Sequence, residues 1–251
     1  MILTKTTDHP VSDLYLSISR GKNRDMGTGL SGTENPGIEK VLRRGTAEIL
    51  EHDDDGIFLF DTVSEAYMIF STDSEKAAQW ILRHSDRNYK LLVAAGDYTA
   101  DFIREKLSFK NMLKCRQLVY YGEINKLPQT PLTTRHAAEE DLDFILAHYD
   151  ILSREELAKI ILRRKLVMGL LNGKPVGFVG EHLEGSLGIL YILPEYRKQG
   201  FAAYLEKYQM NEMLRDGYIP FGQVEVGNEK SLNLQKKLGF KECSGFVYWF
   251  F

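Results

Sequence analysis

LPEYRKQGFAAYLEKY, residues 193–208, carries an apolar run into a charged turn and then into an amphipathic pattern. The run ends at Pro194, and Arg197, Lys198 and Gln199 stand ahead of Gly200. A strand that feeds a helix through a glycine-bearing turn exposes backbone N–H groups with no partner inside the helix. The helix dipole adds partial positive charge there, so the turn suits a phosphate. Gly200 removes the side chain where a phosphate approaches the backbone, Ala202 keeps the next turn small, and Arg197 and Lys198 bring full charges for a diphosphate. The alternative is a plain helix start. Other phosphate loops fit worse, because neither GxxxxGK[ST] nor an early GxGxxG occurs.

On either side of this stretch the pattern is regular. Upstream, the sequence predicts a strand at 132–136, a helix over 138–149 and a second helix from Ser153 to about Arg164, with Ser153 and Glu156 spaced as a capping box. Three strands follow, KLVMGLLN, KPVGFVGEH and SLGILYIL. Asn172-Gly173 marks the first hairpin, and Leu183 to Gly185 joins the second pair. Downstream, the helix ends at Gly217. A strand over 218–226, a helix from Glu229 to Leu238 stopped by Gly239, and a last strand ECSGFVYWFF complete the chain.

The first half is comparable from Gly56 onward. GIFLFDT and AYMIFST read as strands, 73–84 as a helix, KLLVAAG as a strand, 97–107 as a helix and LKCRQLVYY as a strand. IREKLSFK at 103–110 and LQKKLGFK at 234–241 are alike, each a helix end passing into a strand. They raise the possibility of an internal repeat. The halves differ where an anion would bind: FSTDSEKAAQWI takes the place of LPEYRKQGFAAY, without its glycine or cations. Pro128 and Pro131 in INKLPQTPLTT mark a boundary, which divides the chain into domains 1–127 and 128–251. The glycine-rich stretch at 20–37 reads as a loop or as a substrate lid.

Composition narrows the class of protein. With 43% hydrophobic and 27% charged residues, the chain of 251 residues can bury a core or two. A formal charge of -3 argues against a broad nucleic-acid footprint. No apolar stretch approaches the roughly 20 residues of a bilayer span, and the N-terminus is too polar for a signal peptide. The expected location is therefore cytoplasmic, with no membrane or nucleic-acid partner. Cys115 and Cys243 have no partner at redox or metal spacing and read as reduced core residues. The histidines at 9, 52, 84, 136, 148 and 182 are scattered, so no metal is expected.

The pattern RxxGxA in the opening stretch, the preceding ILYILPEYR and the downstream VGNEKSLNLQKKLGF resemble the GNAT superfamily of acyl-CoA N-acyltransferases. EGSLGILYILPEYRKQG and NEKSLNLQKKLGF are most similar to its glycine N-acyltransferase-like branch. That resemblance covers about half of the chain and implies a mixed-sheet α/β (α+β) fold, with a GNAT domain in the second half and a degenerate GNAT-like lobe in the first. It implies acetyl-CoA or another acyl-CoA as co-substrate, with no metal. The diphosphate would lie on the amides of Lys198, Gln199, Gly200, Phe201, Ala202 and Ala203, flanked by Arg197, and the pantetheine arm along the backbone near Ile192 and Leu193. Asn228, which also makes sense as an N-cap, would open the helix after the coenzyme cleft and is implied as both a catalytic and a coenzyme-binding residue.

Two positions depart from the family pattern. Ser186 stands where many members carry a glutamate base, and Glu184 shares a strand face with Ser186, Gly188 and Leu190 if the segment is extended. Glu184, Glu225 and Glu181 are the candidate bases. Gln235 stands where members carry a proton-donating tyrosine, and it would hydrogen-bond the sulfur. Tyr204 and Tyr191 read as packing residues. Gly188 and Gly222 leave room at the cleft. The expected activity is acyl transfer to a primary amine of a small molecule or peptide, in a monomer or a homo-oligomer. The alternatives are a non-catalytic acyl-CoA-binding regulatory or interaction protein of the same fold, and a two-lobed structural protein whose loop binds nothing.

Overall fold

The computed structural model describes residues 35–251. The glycine-rich stretch read as a loop or lid lies, up to residue 34, outside the described residues. The described residues divide into two compact units, one of 35–114 with 244–251 and one of 115–243. Residues 115–127 and the closing eight thus fall in units other than those a division at 127/128 gives them. The reason is strand pairing, as follows.

In the first unit, α1 (Pro36–Arg43) precedes an antiparallel meander of β1 (Ala47–Asp53), β2 (Gly56–Asp61) and β3 (Ala66–Ser71). Then come α2 (Ser74–Arg83), β4 (Leu92–Ala95), parallel to β3, and α3 (Asp97–Lys106). Alternation decides which side chain faces which layer. Phe58, Ile69, Trp80, Ile81 and Ile103 form one core, and Ile57, Leu59, Met68 and Val93 pack with Val41 and Leu42 on the other face. Helix α1 and strand β1 were absent from the sequence-based expectation.

The second unit begins its meander with β6 (Leu132–His136), β7 (Leu166–Leu171), β8 (Lys174–Glu181) and β9 (Leu187–Ile192). Between β6 and β7 lie α4 (Leu142–Leu146) and α5 (Arg154–Leu162), the latter with the expected Ser153–Glu156 capping box. Helix α6 (Phe201–Arg215), β10 (Phe221–Glu225) and α7 (Glu229–Lys237) follow. Val167, Val176, Val179 and Leu187 face one core with Phe201, Leu205 and Met213, and Met168, Phe178 and Ile189 face another with Ile145, Leu157 and Ile160.

Each unit is completed by a strand that the other's run of sequence supplies. β5 (Met112–Val119) follows α3, but its residues 115–119 pair antiparallel with β10 in the second unit. β11 (Lys241–Phe250) follows α7, but its residues 247–250 pair antiparallel with β4 in the first. Both units thus share one order: antiparallel meander, helix, parallel strand, helix, and an antiparallel strand taken in exchange.

Two expected elements are shorter. The helix over 138–149 is a 3-10 turn, Glu139–Asp141, followed by only five α-helical residues. Asp141 pins that turn by accepting from the Ala138 N–H at 2.8 Å and from both ends of the Arg135 guanidinium. Past Leu146, His148 stacks on Tyr191 and Tyr149 packs edge-on to Phe178. The strand over 218–226 starts at Phe221, because the Tyr218 N–H still closes the end of α6 on Met213 O at 2.9 Å.

Candidate functional site

Strands β9 and β10 run parallel but pair at one position only, Leu187 with Gly222. Beyond it they part. The parting is assisted by a bulge in β9: three steps from Gly188 to Tyr191 oppose two from Gly180 to Phe178, and Ile189 has a left-handed φ of 48°. A β-branched residue in that region is strained by about 1 to 3 kcal/mol. Here the Ile189 side chain is locked in the core with Phe178 and Met168. Such strain concentrates where a strand has to present its backbone to a ligand.

At the far end of β9 the chain makes a 3-10 turn, Pro194–Tyr196, and then the stretch Arg197–Gly200. Lys198 and Gly200 both have left-handed backbone, φ 62° and 84°, and Gly200 is the N-cap of α6. No side chain caps this helix. The first N–H of α6 to return to the turn is that of Tyr204, which donates to Gly200 O at 3.0 Å. The amides of Lys198, Gln199, Gly200, Phe201, Ala202 and Ala203 precede it, at the positive end of a 15-residue helix. A Cβ on Gly200 would meet nothing within 4 Å. Space for an anion is therefore present, and the positive φ is what requires glycine.

The flanking side chains divide their work. Arg197 donates Nε to Ile192 O at 2.9 Å and lies over the Tyr191 ring, 5.5 Å from its centroid, so it braces the turn. Lys198 is exposed, and Gln199 reaches Glu195 O at 3.4 Å. Leu193 donates its N–H to Val176 O and accepts from the Tyr196 N–H, each at 2.9 Å. Of the backbone expected to meet a pantetheine arm, Leu193 is thus engaged at both its N–H and its C=O, and Ile192 at its C=O by Arg197. Tyr204 and Tyr191 are half-buried against the two cores, as packing residues.

The candidate bases come together in an unexpected way. Glu184 lies in the β8–β9 turn, where the Gly185 N–H closes on His182 O at 2.9 Å, and not on an extended strand. Its carboxylate nevertheless accepts the Ser186 hydroxyl, and both side chains are buried. The shared face extending to Leu190 is corrected by the bulge, which breaks the alternation after Gly188. Glu225, exposed at the end of β10, is paired in register with Cys115. Burial first, then the charges of Glu225 and Glu184, push the Cys115 thiol up to about 12, so it is inert at neutral pH. Glu181 is turned elsewhere, accepting from Gln209 at 2.8 Å with Lys165 at 3.6 Å. No disulfide joins Cys115 to the half-buried Cys243.

Sequence reasoning missed two groups, the half-buried Tyr149 and the buried Glu206. The Tyr149 hydroxyl is pushed up to about 12 by burial and by the Glu184 charge, against the pull of the Ile189 N–H, so it keeps its proton at neutral pH. Glu206, one turn into α6, accepts Gln235 Nε2 at 2.6 Å. Tyr149 belongs to no local motif, and Glu206 reads in sequence as an ordinary charged helix residue. Gln235 itself is buried, with its oxygen 3.9 Å from where a Cβ on Gly222 would stand. Asn228 is the N-cap of α7, accepting from the Ser231 N–H at 3.1 Å. Neither glycine leaves the expected room: a Cβ on Gly222 would stand 3.3 Å from Leu187 O, and the space beside Gly188 is filled by the His182 ring, 2.3 Å from a Cβ built there. Among the described residues no group of three or more His, Cys, Asp or Glu is placed to hold a metal ion, and no helix is long and apolar enough to cross a membrane.

Residues 167–249 match the family model described as FR47-like protein. No curated protein matches the chain. Among solved structures, a Drosophila protein is similar with a TM-score of 0.62 at 14% identity, over 78% of this chain and 73% of that one. A GCN5-related N-acetyltransferase-like protein from Streptococcus suis matches with a TM-score of 0.56 at 14% identity, over 96% and 99% of the two chains. A tandem GNAT protein from the clavulanic acid biosynthesis pathway matches with a TM-score of 0.52 at 12% identity, over 99% and 96%. With its parted parallel strands, its bulge and its uncapped helix, the chain has the fold of the GNAT acetyltransferases, and over residues 167–249 it is similar in sequence to FR47-like protein.

Proposed function

We propose that this protein transfers an acyl group, acetyl first of all, from acyl-coenzyme A to the primary amine of a small molecule or peptide, by direct attack on the thioester. One observation carries the reading: the amides of residues 198–203 stand uncapped at the start of α6, beside two left-handed residues, at the end of a strand that has just parted from its neighbour. Such a nest of N–H groups is fitted to a diphosphate. Each charge–dipole contact is worth about 0.3 to 1 kcal/mol, so several amides with Lys198 are needed for useful affinity.

Orientation of the two substrates in the parting supplies much of the rate. Glu184, with the Ser186 hydroxyl on it, is the base of choice, and Glu225 is the second. A base of this kind contributes about 10² to 10⁴ in rate. Placement in the glycine N-acyltransferase-like branch is part of the proposal and rests on the sequence around the turn.

A second reading, a protein that binds acyl-CoA without transferring from it, is favoured by Gln235, which cannot give up a proton and whose Nε2 is already engaged by Glu206.

Calorimetric titration of acetyl-CoA and desulfo-CoA into wild type, Gly200→Ala and Gly200→Glu tests the site. Wild type should bind both, Gly200→Ala should bind more weakly because of its positive φ, and Gly200→Glu should not bind. Absence of binding to folded wild type overturns both readings. Binding with no product in a broad screen of amines favours the second.

A further inference from the structure

Glu206 and Gln235 form a polar pair that the proposed chemistry leaves unused. Glu206 is 2% exposed and Gln235 6%. In the arrangement seen, Gln235 Nε2 donates to Glu206 Oε1, which leaves Glu206 Oε2 and Gln235 Oε1 buried with no partner. The orphaned amide oxygen is the atom turned toward Gly222, where β9 and β10 part. A buried acceptor without a donor costs about 1 to 3 kcal/mol, so something has to meet it or it has to turn away.

A proton on Glu206 offers the second way out. The carboxylic acid can donate to Gln235 Oε1 after a half-turn of the amide, and Nε2 then faces the parting. We propose that Glu206 is a positioning residue whose proton decides which end of the Gln235 amide faces the parting: an N–H that a thioester accepts when the proton is on, an oxygen that repels it when the proton is off. The inference rests on the acyl-CoA reading and deepens it, because it assigns the recognition of the thioester, as distinct from the rest of the coenzyme, to Gln235.

The surroundings of Glu206 favour the protonated form. Burial pushes its carboxyl up to about 8, with the Gln235 hydrogen bond pulling the other way. Of the strands packed on α6, β7 carries no titratable side chain and β9 only Tyr191. β8 carries Lys174 at its start and Glu181 at its end, the latter held by Gln209 and Lys165. Glu229, Lys230, Lys236 and Lys237 of α7 are exposed. No ion pair to Glu206 is found among the described residues, so its charge is set by burial and by the Gln235 amide.

The test compares acetyl-CoA with desulfo-CoA, which shares the phosphates and lacks the thioester, by calorimetry in wild type, Glu206→Gln and Gln235→Met. In wild type the affinity for acetyl-CoA relative to desulfo-CoA should fall about fivefold between about pH 7 and about pH 9, the worth of one neutral hydrogen bond. In both variants the ratio should be flat. A flat ratio in wild type, or a fall that survives in Glu206→Gln or Gln235→Met, overturns the inference and leaves the coenzyme site standing. If neither ligand binds wild type at any pH, the acyl-CoA reading itself fails and takes the inference with it.

Discussion

The two units lead from a parallel strand pair into a helix at the same point of the same order, and they fill the helix start in opposite ways. In the first, the turn after β3 brings Asp73 to the N-cap of α2, where its carboxylate accepts from the Glu75 and Lys76 amides at 3.0 and 3.1 Å. In the second, Gly200 caps nothing. The strands behave accordingly: β3 and β4 stay paired through Tyr67–Leu92, Met68–Val93 and Ile69–Ala94, whereas β9 and β10 part after one pair. An internal carboxylate satisfies, in the first unit, amides of the kind that no side chain caps in the second. A closed pair with a filled cap offers a ligand nothing, and a parted pair with an empty cap is the candidate site.

The same contrast holds for buried carboxylates. Asp61 of the first unit is fully buried and accepts from Thr46 Oγ1 at 2.6 Å, from Ser64 and from Arg44. Burial pushes its carboxyl up, but these donors and the Arg44 charge pull it further down, to a net position below the usual range. Glu206 has one amide partner and is pushed the other way. One carboxylate is a finished structural knot, and the other is unfinished.

The largest effect should come from attacking the exchanged strand. Phe250→Ala removes a side chain 1% exposed in the first unit and should cost about 3 to 5 kcal/mol. Hydrogen exchange should then speed up in β2 and β4 while β7 and β8 stay protected. Equal loosening of both units would break the view that 244–251 belongs to the first. Gly200→Asp gives α6 a carboxylate like that of Asp73, and acetyl-CoA affinity should fall about a hundredfold by calorimetry, with stability within about 1 kcal/mol because aspartate tolerates the left-handed region.

The reciprocal change, Asp73→Ala, should cost about 1 kcal/mol in chemical denaturation and leave coenzyme affinity unaltered. In wild type, thermal stability should decline as pH rises between about 4.5 and 8, because Glu206 is protonated in the folded chain and ionised in the unfolded one over that range. Glu206→Gln should flatten that slope. Asp61 works in the opposite sense: its stabilisation is present above the ordinary aspartate range and is lost as pH falls through its lowered folded value. The smallest effect is Lys198→Ala, a few-fold loss of affinity that shrinks further at high salt.

Much of this was legible in the sequence because it is local. Asn172-Gly173 turns the hairpin with φ of 52° and 78°, Ser153 and Glu156 cap α5, and Gly217 and Gly239 end their helices with left-handed backbone. The turn at 197–200 is local too, and the element order of the second half followed from it. What escaped depends on distance along the chain. β1 escaped because its half-buried pattern alternates weakly, and the strand exchange because pairing of 92–95 with 247–250 leaves no mark in either segment. At the site, Glu184 was singled out on the premise of an extended strand, and it reaches Ser186 through a turn instead. Tyr149 owes its altered acidity to burial and a remote carboxylate, and Glu206 to burial against the pull of a remote amide, which spacing does not encode.

The strand exchange also has a consequence for how the protein is made. As the chain leaves the ribosome, residues 35–106 bring out α1 to α3 and β1 to β4 of the first unit, yet β4 waits for 247–250. The second unit has the reverse experience, since 115–119 of β5 are out well before their partner β10. The half synthesised first is therefore the half that closes last, and a chain interrupted just short of 247–250 would have the turn at 197–200 complete while the first unit still lacked a strand.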